Sequence, residues 1–330
     1  MSNTNLNKAK REKNDEFYTQ LDDIEKEIQA YLEYDPNVFR GKTILLPCDD
    51  PTWSNFTKYF ALNFERLGLK KLISTSYAAD GGHGKMFVLD GENELQWEYL
   101  TGDGDFRSTE VTALRDEADI VITNPPFSLF REFITWLSDG DVLFSVIGNK
   151  NAITCKEIFP LIKDNKMWVG NRSMSDDFLF SIPKSSQDEM LEGKPGSRYR
   201  IVDGEIMGRT PSLWFTNIEH GRRHEPLQLM TQAENQKYNK RIINNPNSYK
   251  KYDDYDAIEV PATSGIPSDY VGVMGVPISF LDKHCPEQFE ILDMVTPNVE
   301  DRCLYKRMLI RRTRARANEF TVPTHELQAA

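Results

Sequence analysis

Several things are scarce in these 330 residues, and each scarcity removes a class of protein. There are four cysteines, Cys48, Cys155, Cys285 and Cys303, far apart and with no Cys-x-x-Cys pair. They make neither a disulfide framework nor a zinc ribbon, and reduced thiols are expected. Of the five histidines only His220 and His224 come within a helical turn of each other. No third ligand stands beside them, so no metal site is expected. No apolar run approaches membrane-spanning length, and residues 1–14 are polar and lysine-rich without an apolar core. A spanning helix and a secretory signal are both excluded on that pattern. No Gly-x-Gly-x-x-Gly follows the first apolar strand, which argues against a dinucleotide-dependent dehydrogenase. Internal repeats and low-complexity segments are lacking as well.

What is present is an alternation of short apolar runs with helical patterns. Residues 21–32 carry Leu21, Ile24, Ile28, Tyr31 and Leu32 at helical spacing, and residues 43–47 read as a buried strand. An aromatic stripe (Phe56, Tyr59, Phe60, Phe64) predicts one helix running to a cap at Gly68, followed by a strand over 72–76. A hairpin is expected around Asp90-Gly91, with Gly81 to Gly84 as a flexible turn before it. Then come a helix over 108–117, a strand over 120–122, a helix over 128–137, a strand over 142–147 and a helix over 154–162. Strand-like pieces at 167–169, 178–182 and 213–216 are expected to complete the sheet. Such an order is that of a doubly wound α/β domain. The expected organisation is a disordered basic arm (1–14), a catalytic domain (15–217) with a polar insertion at 184–196, and a second region (218–330). Met274 to Leu281 is the most ordered-looking piece of that last region.

The strand over 120–122 stops at Asn124-Pro125-Pro126-Phe127. Neither proline donates a ladder hydrogen bond, and Pro125 biases Asn124 away from helix. The result is a stiff loop carrying an amide, carbonyls and an aromatic ring. In an open α/β sheet, ligands bind just beyond the carboxyl ends of the strands, which is where this loop belongs. The plainer reading is a Pro-Pro turn with Asn124 capping the next helix. Asn-Pro-Pro-Phe also resembles the catalytic tetrapeptide of the amino-methyltransferases that use S-adenosylmethionine to methylate the exocyclic amine of adenine. That resemblance implies that Asn124 and the Pro125 carbonyl accept the two amine hydrogens. The nitrogen lone pair is then aimed at the methyl carbon while Phe127 stacks on the base. In-line transfer of this kind depends on positioning and electrostatics more than on a strong base.

Further segments resemble one family throughout, the EcoRI-type adenine-specific DNA methyltransferases. They are Asp-Glu-Phe-Tyr-Thr at 15–19, Cys-Asp-Asp-Pro at 48–51, Gly-Asp-Gly-Asp-Phe-Arg-Ser at 102–108 and Thr-Asn-Pro-Pro-Phe-Ser-Leu-Phe at 123–130. Tyr-Asp-Asp-Tyr-Asp-Ala-Ile at 252–258, Gly-Val-Met-Gly-Val-Pro-Ile at 272–278 and Pro-Glu-Gln-Phe-Glu at 286–290 extend the likeness. The resemblance implies a Rossmann-like methyltransferase fold with a mostly parallel sheet and a C-terminal target-recognition region. It places Phe17, Tyr18 and Thr19 against the methionine end of S-adenosylmethionine. It places Cys48, Asp49 and Asp50 where the first strand meets its helix, in place of the usual glycine-rich loop. One of those aspartates would accept from the cofactor's ammonium group, although capping the helix is the other role open to an aspartate there. Asp103 and Phe106 would meet the cofactor's adenine, with a Gly/Asp turn as the plain alternative. No acidic residue closes the second strand (Ser74-Thr75-Ser76), so the ribose contact is unassigned.

The net charge of −11 weighs mildly against nucleic acid as a partner, but its distribution does not. Seven Lys/Arg and no acid lie between Arg302 and Arg316, and Lys237, Lys240, Arg241, Lys250 and Lys251 form a second cluster. Lys306, Arg307, Arg311 and Arg312 are the residues expected on DNA phosphates. The resulting expectation is a monomeric, metal-free enzyme that takes S-adenosylmethionine and double-stranded DNA. It would act in the cytoplasm of a bacterial or phage-infected cell beside a cognate restriction endonuclease. An adenine in duplex DNA would have to flip out to reach Asn124. Methylation of RNA adenine or of a protein glutamine amide, and a non-catalytic DNA-binding decoy of the same fold, are the alternatives.

Overall fold

A computed structural model describes residues 19–91, 95–176, 178–181, 199–202 and 204–313. The expected basic arm, Phe17, Tyr18, the insertion at 184–196, and Arg314 and Arg316 lie outside the described residues. The remainder divides into two compact units, one of residues up to 162 with Lys166–Gly221, the other of Lys163–Asn165 with residues from 222 onward.

In the first unit the periodicity after Gln20 becomes helix α1 (Leu21–Tyr34), which buries Ile24, Ile28 and Tyr31. Strand β1 (Thr43–Leu46) is buried at every position, as a strand covered on both faces must be. The aromatic stripe forms two helices rather than one, α2 (Asn55–Leu62) and α3 (Phe64–Leu67). The break falls at Asn63, whose side-chain amide donates to the Tyr59 carbonyl (2.8 Å) and competes with the helix for it. Strand β2 (Lys71–Thr75), the hairpin of β3 (Lys85–Asp90) and β4 (Leu95–Tyr99), helix α4 (Thr109–Glu117) and strand β5 (Ile120–Thr123) follow. Helix α5 (Phe130–Asp139) and strand β6 (Leu143–Asn149) come next. The helix expected over 154–162 is only α6 (Phe159–Lys163), because Pro160 is tolerated only in a first turn. Strands β7 (Trp168–Val169), β8 (Phe178–Ser181), β9 (Tyr199–Val202), β10 (Glu205–Thr210) and β11 (Ser212–Thr216) complete the unit.

Eight of these strands form one sheet in the order β4-β3-β2-β1-β5-β6-β11-β7. The central four, β2-β1-β5-β6, pair in parallel. β3 and β11 run against the other six, so antiparallel pairing is confined to the margins. The chain moves outward from β1 to β2, then returns to lay β5 on the other side of β1. The topological switch point is therefore between β1 and β5, and the crevice beyond their carboxyl ends is the natural ligand site. The expectation that residues 178–182 join this sheet is corrected: β8 pairs instead with β10, which pairs with β9, in a separate three-stranded antiparallel sheet. A short apolar run says that a strand exists but not which edge accepts it, and β9 and β10 were not expected at all.

The second unit contains helices α7 (Gln232–Tyr238) and α8 (Lys240–Ile243), with α7 opened by a Thr231/Glu234 capping box. Its four-stranded sheet runs β12 (Ala257–Glu259), β13 (Val273–Pro277), β17 (Arg307–Arg312), β14 (Phe289–Val295). β15 (Asn298–Val299) and β16 (Arg302–Cys303) make a small ribbon. The stretch from Met274 to Leu281 is β13 followed by a 3-10 helix, Ile278–Lys283.

Candidate active site

Hydroxyl groups from the carboxyl ends of β2 and β5 and from the start of α2 converge on Asp49, in the loop after β1. The Asp49 carboxylate accepts from Thr123 Oγ1 (2.6 Å) through one oxygen and from Ser54 Oγ (2.7 Å) through the other. Its backbone carbonyl accepts from Ser74 Oγ (2.6 Å), which also bonds Thr57 Oγ1 (2.7 Å). Thr75 Oγ1 donates to the Pro47 carbonyl (3.1 Å). Thr123 is the last residue of β5, Ser54 is the N-cap of α2, and Ser74 belongs to β2. One buried carboxylate thus ties the loop after β1 to the residue that precedes Asn124. Burial pushes the Asp49 carboxyl up to about 7, against the lowering effect of the Thr123 and Ser54 hydrogen bonds.

That geometry separates the two aspartates. Asp49 has both oxygens engaged inward and is 4% exposed. Asp50 takes Thr52 on one oxygen and the Lys85 ammonium (3.0 Å) on the other. Burial raises the Asp50 carboxyl, but Thr52 and Lys85 outweigh it and hold the group below the usual range. Lys85 is partly exposed, so Asp50 is the aspartate that can exchange a surface cation for a ligand's. Cys48 is half-buried beside them.

Asn124 and Pro125 are buried, while Pro126 and Phe127 are half-buried, Phe127 against the apolar core. A 3-10 turn, Phe127–Leu129, leads from the prolines into α5. Thr19 is 7% exposed, and its carbonyl accepts from Asn55 Nδ2 (2.8 Å), which brings the N-terminal segment to the start of α2. The loop of residues 102–105 reaches the same rim. Ala78 N donates to the Asp103 carbonyl (2.7 Å), and Gly84 N to the Gly102 carbonyl (2.9 Å). Gly104 permits the approach: its φ is 83°, and a Cβ there would lie 2.2 Å from the Ser76 carbonyl. Asp103 is half-buried and spends one oxygen on its own turn, at Asp105 N (3.0 Å). Phe106 is packed inward, 4.9 Å from the Phe133 ring and 5.5 Å from Trp136, and offers a ligand almost no surface. The hydroxyls at the end of β2 all turn inward as well, and Ser74 and Thr75 are fully buried.

The sequence reading missed the hydroxyl cluster around Asp49. A signal for it was visible: Ser/Thr closes the two strands that flank β1, at Ser74-Thr75-Ser76 and Thr123, and Ser54 stands where α2 begins.

In the second unit the basic residues have different fates. Arg307 is committed to Glu259 through Nε and one terminal nitrogen (2.8–3.1 Å), and Glu259 also accepts from Tyr252 Oη (2.6 Å). That ion pair is buried, with side-chain exposures of 13% and 1%. Arg312 donates to the Ser268 carbonyl. Arg311 pairs with Glu290 at the surface (2.6 Å), and Lys306 and Arg302 are exposed. Arg311 and Arg312 line a groove of about 470 Å³ with Asp256, Tyr270 and Val271. Among the described residues no group of three His, Cys, Asp or Glu side chains is placed to hold a metal ion. No helix among them is long and apolar enough to cross a membrane.

Compared with known families, residues 5–326 match the one described as adenine-specific methyltransferase EcoRI. The type II methyltransferase M.EcoRI of Escherichia coli is 42% identical over 338 residues, covering 95% of this chain and 98% of that protein. The type II methyltransferase M.MpnI of Mycoplasma pneumoniae is 36% identical over 289 residues, 87% of this chain and 85% of that one. M.MgeORF184P of Mycoplasma genitalium is 38% identical over 292 residues with the same coverage of each chain, 87% and 85%. No solved structure matches.

Proposed function

The chain belongs to the family of the adenine-specific methyltransferase EcoRI, and on that premise we propose that it methylates the N6 amine of an adenine flipped out of duplex DNA. It is a type II, adenine-specific methyltransferase. The observation that carries the reading is the position of Asn124-Pro125-Pro126-Phe127 beyond β5, beside the switch point, with the preceding Thr123 fixed to Asp49.

The rim suits the polar groups of S-adenosylmethionine. Asp50 offers a carboxylate to an ammonium, Asp103 has acceptor capacity left for an amine, and Thr19 and Cys48 lie beside the same loops. The family resemblance adds Phe17 and Tyr18, which lie outside the described residues, to this set. When bound, S-adenosylmethionine supplies an electrophilic methyl carbon. The rest belongs to the chain. Asn124 Oδ1 and the Pro125 carbonyl accept the two amine hydrogens and orient the nitrogen lone pair, and Pro126 stiffens the loop. Phe127 stacks on the base. Asp49 acts through Thr123 as a positioning residue, so that Asn124 starts from a fixed strand end. Phe106 contributes by packing beneath the loop that carries Asp103.

Unpairing and unstacking the adenine costs a few kcal/mol, offset by pocket and phosphate contacts. Lys306 and Arg311 are the surface cations for those contacts, with Arg312 beside them. Arg307 instead holds the second unit together. The enzyme acts as a monomer in the cytoplasm of a bacterial or phage-infected cell, alongside a restriction endonuclease of the same specificity.

The test is transfer of labelled methyl from S-adenosylmethionine to unmethylated duplex DNA, with RNA and protein extracts in parallel. N6-methyladenine in DNA is expected. Asn124→Ala should bind both substrates and lose roughly 10²–10³-fold in turnover, the scale of one preorganised polar contact. Label in RNA or protein alone would keep the Asn124 chemistry and overturn the substrate.

A further inference from the structure

The small sheet between β7 and β11 changes character along its length. At its base Phe178, Tyr199 and Gly208 are buried, and the Phe178 ring lies 6.1 Å from that of Trp214. Further out, Ile201 and Val202 are 66% and 40% exposed, and Arg200 and Gly204 are exposed with them. Among the described residues β8 pairs with residues 207–210 of β10 and β9 with residues 205–208, and the β9–β10 ribbon turns at Gly204 (φ 84°). From Thr210 to Glu205 the ribbon extends roughly 17 Å, at about 3.3 Å per residue. Successive side chains of a strand point to opposite faces. Ile201 and Val202 therefore stand on different faces, Ile201 the more exposed of the two.

The ribbon's root is on the catalytic rim. β11 begins at Ser212, opposite Asn149 at the end of β6, and Lys150 N donates to the Pro211 carbonyl (2.8 Å) between β10 and β11. Asn149 lies three residues beyond Val146, the partner of Thr123. The ribbon thus leaves the sheet at the carboxyl ends of the parallel strands, two strand positions from the Asn124 loop, or about 10 Å at roughly 4.8 Å per strand. A base delivered to Asn124 leaves its duplex just outside this rim. A projection of that height at that separation meets it.

We propose that the β9–β10 ribbon is a DNA-contacting element of the first unit, whose tip enters a groove of the substrate duplex beside the target adenine. This rests on duplex DNA being the substrate. The major groove is about 12 Å wide and admits a two-stranded β-ribbon. Exposed β-branched side chains suit apolar contact with base edges such as the thymine methyl, and Arg200 suits a phosphate. The sequence from 199 to 210 carries Arg200 and Arg209 against Asp203 and Glu205, so groove contact and shape outweigh charge in its contribution. Target recognition is then shared between the β9–β10 ribbon and the second unit.

The test uses full-length protein and genomic DNA from cells lacking adenine methylation, with methylated positions mapped by sequencing. Ile201→Ser/Val202→Ser should raise the KM for DNA tenfold or more, or spread methylation to sites that the parent leaves unmodified. Its S-adenosylmethionine affinity and Tm should not change. Arg200→Ala, a single exposed change that leaves the apolar tip in place, should lower the slope of log affinity against log salt by about one. Parental KM, site pattern and salt slope in both variants would overturn the proposal while leaving the function intact. Failure of the parent protein itself to methylate DNA would overturn the substrate reading, and the proposal with it.

Discussion

Replacing Asp49 by Asn tests how the crevice is held. In the unfolded chain the carboxyl titrates near 3.8, and in the folded protein burial pushes it up to about 7. Between those values the native state holds a proton that the unfolded state has released. Stability from this group is therefore lost as pH rises through that window and does not return above it. A gap of about three pH units corresponds to about 4 kcal/mol, of which about 2.5 kcal/mol falls between pH 5 and pH 8. The side chain is almost completely buried, so solvent screening removes little of this. Asparagine keeps the shape, can accept from one hydroxyl and donate to the other, and does not titrate. Urea unfolding of the parent and of Asp49→Asn at pH 5 and pH 8 gives the comparison. The variant should gain on the parent by about 2.5 kcal/mol over that interval, whatever its stability at either end. Parallel stability profiles for the two proteins would refute the account of Asp49 as a buried carboxylate ionised at a cost.

Three other expectations follow from particular contacts. Arg307→Ala should destabilise the protein by about 3–5 kcal/mol in denaturant titration, because it leaves Glu259 buried without its cation; Glu259→Gln/Arg307→Met should recover much of that loss. Gly275→Ala brings a Cβ to 1.9 Å from Tyr252 Oη, which Glu259 holds in place, so a loss of about 1–3 kcal/mol by thermal unfolding is expected. Lys306→Ala/Arg311→Ala should weaken DNA binding and reduce the salt slope by about two, whereas Arg307→Met should leave that slope unchanged.

Local chemistry determined much of this protein from the sequence alone. The runs at 43–47 and 120–122, apolar apart from Thr43, read as buried strands, and Pro125 and Pro126 could only end one. The Asn124 loop was legible because proline acts on its own backbone and its immediate neighbours. Family likeness over nearly the whole chain then supplied the chemistry. Helix ends were less legible: Asn63 and Pro160 shortened helices whose apolar pattern ran past them, since periodicity does not register a side chain that competes for a carbonyl.

Tertiary structure alone decided which edge each strand met and which way each polar side chain turned. Residues 178–181 had the composition of a sheet strand and joined a different sheet, because strand pairing depends on edges distant in sequence. Asp49 and Asp50 are adjacent and chemically identical, yet one is buried between Thr123 and Ser54 and the other faces Lys85. The alternation of the backbone and the approach of β5 to β1 made that difference. The same holds for the basic run, where Arg307 and Arg311 stand four residues apart on one strand. One is consumed by a buried glutamate and the other remains at the surface, a distinction set by Glu259 from a separate strand.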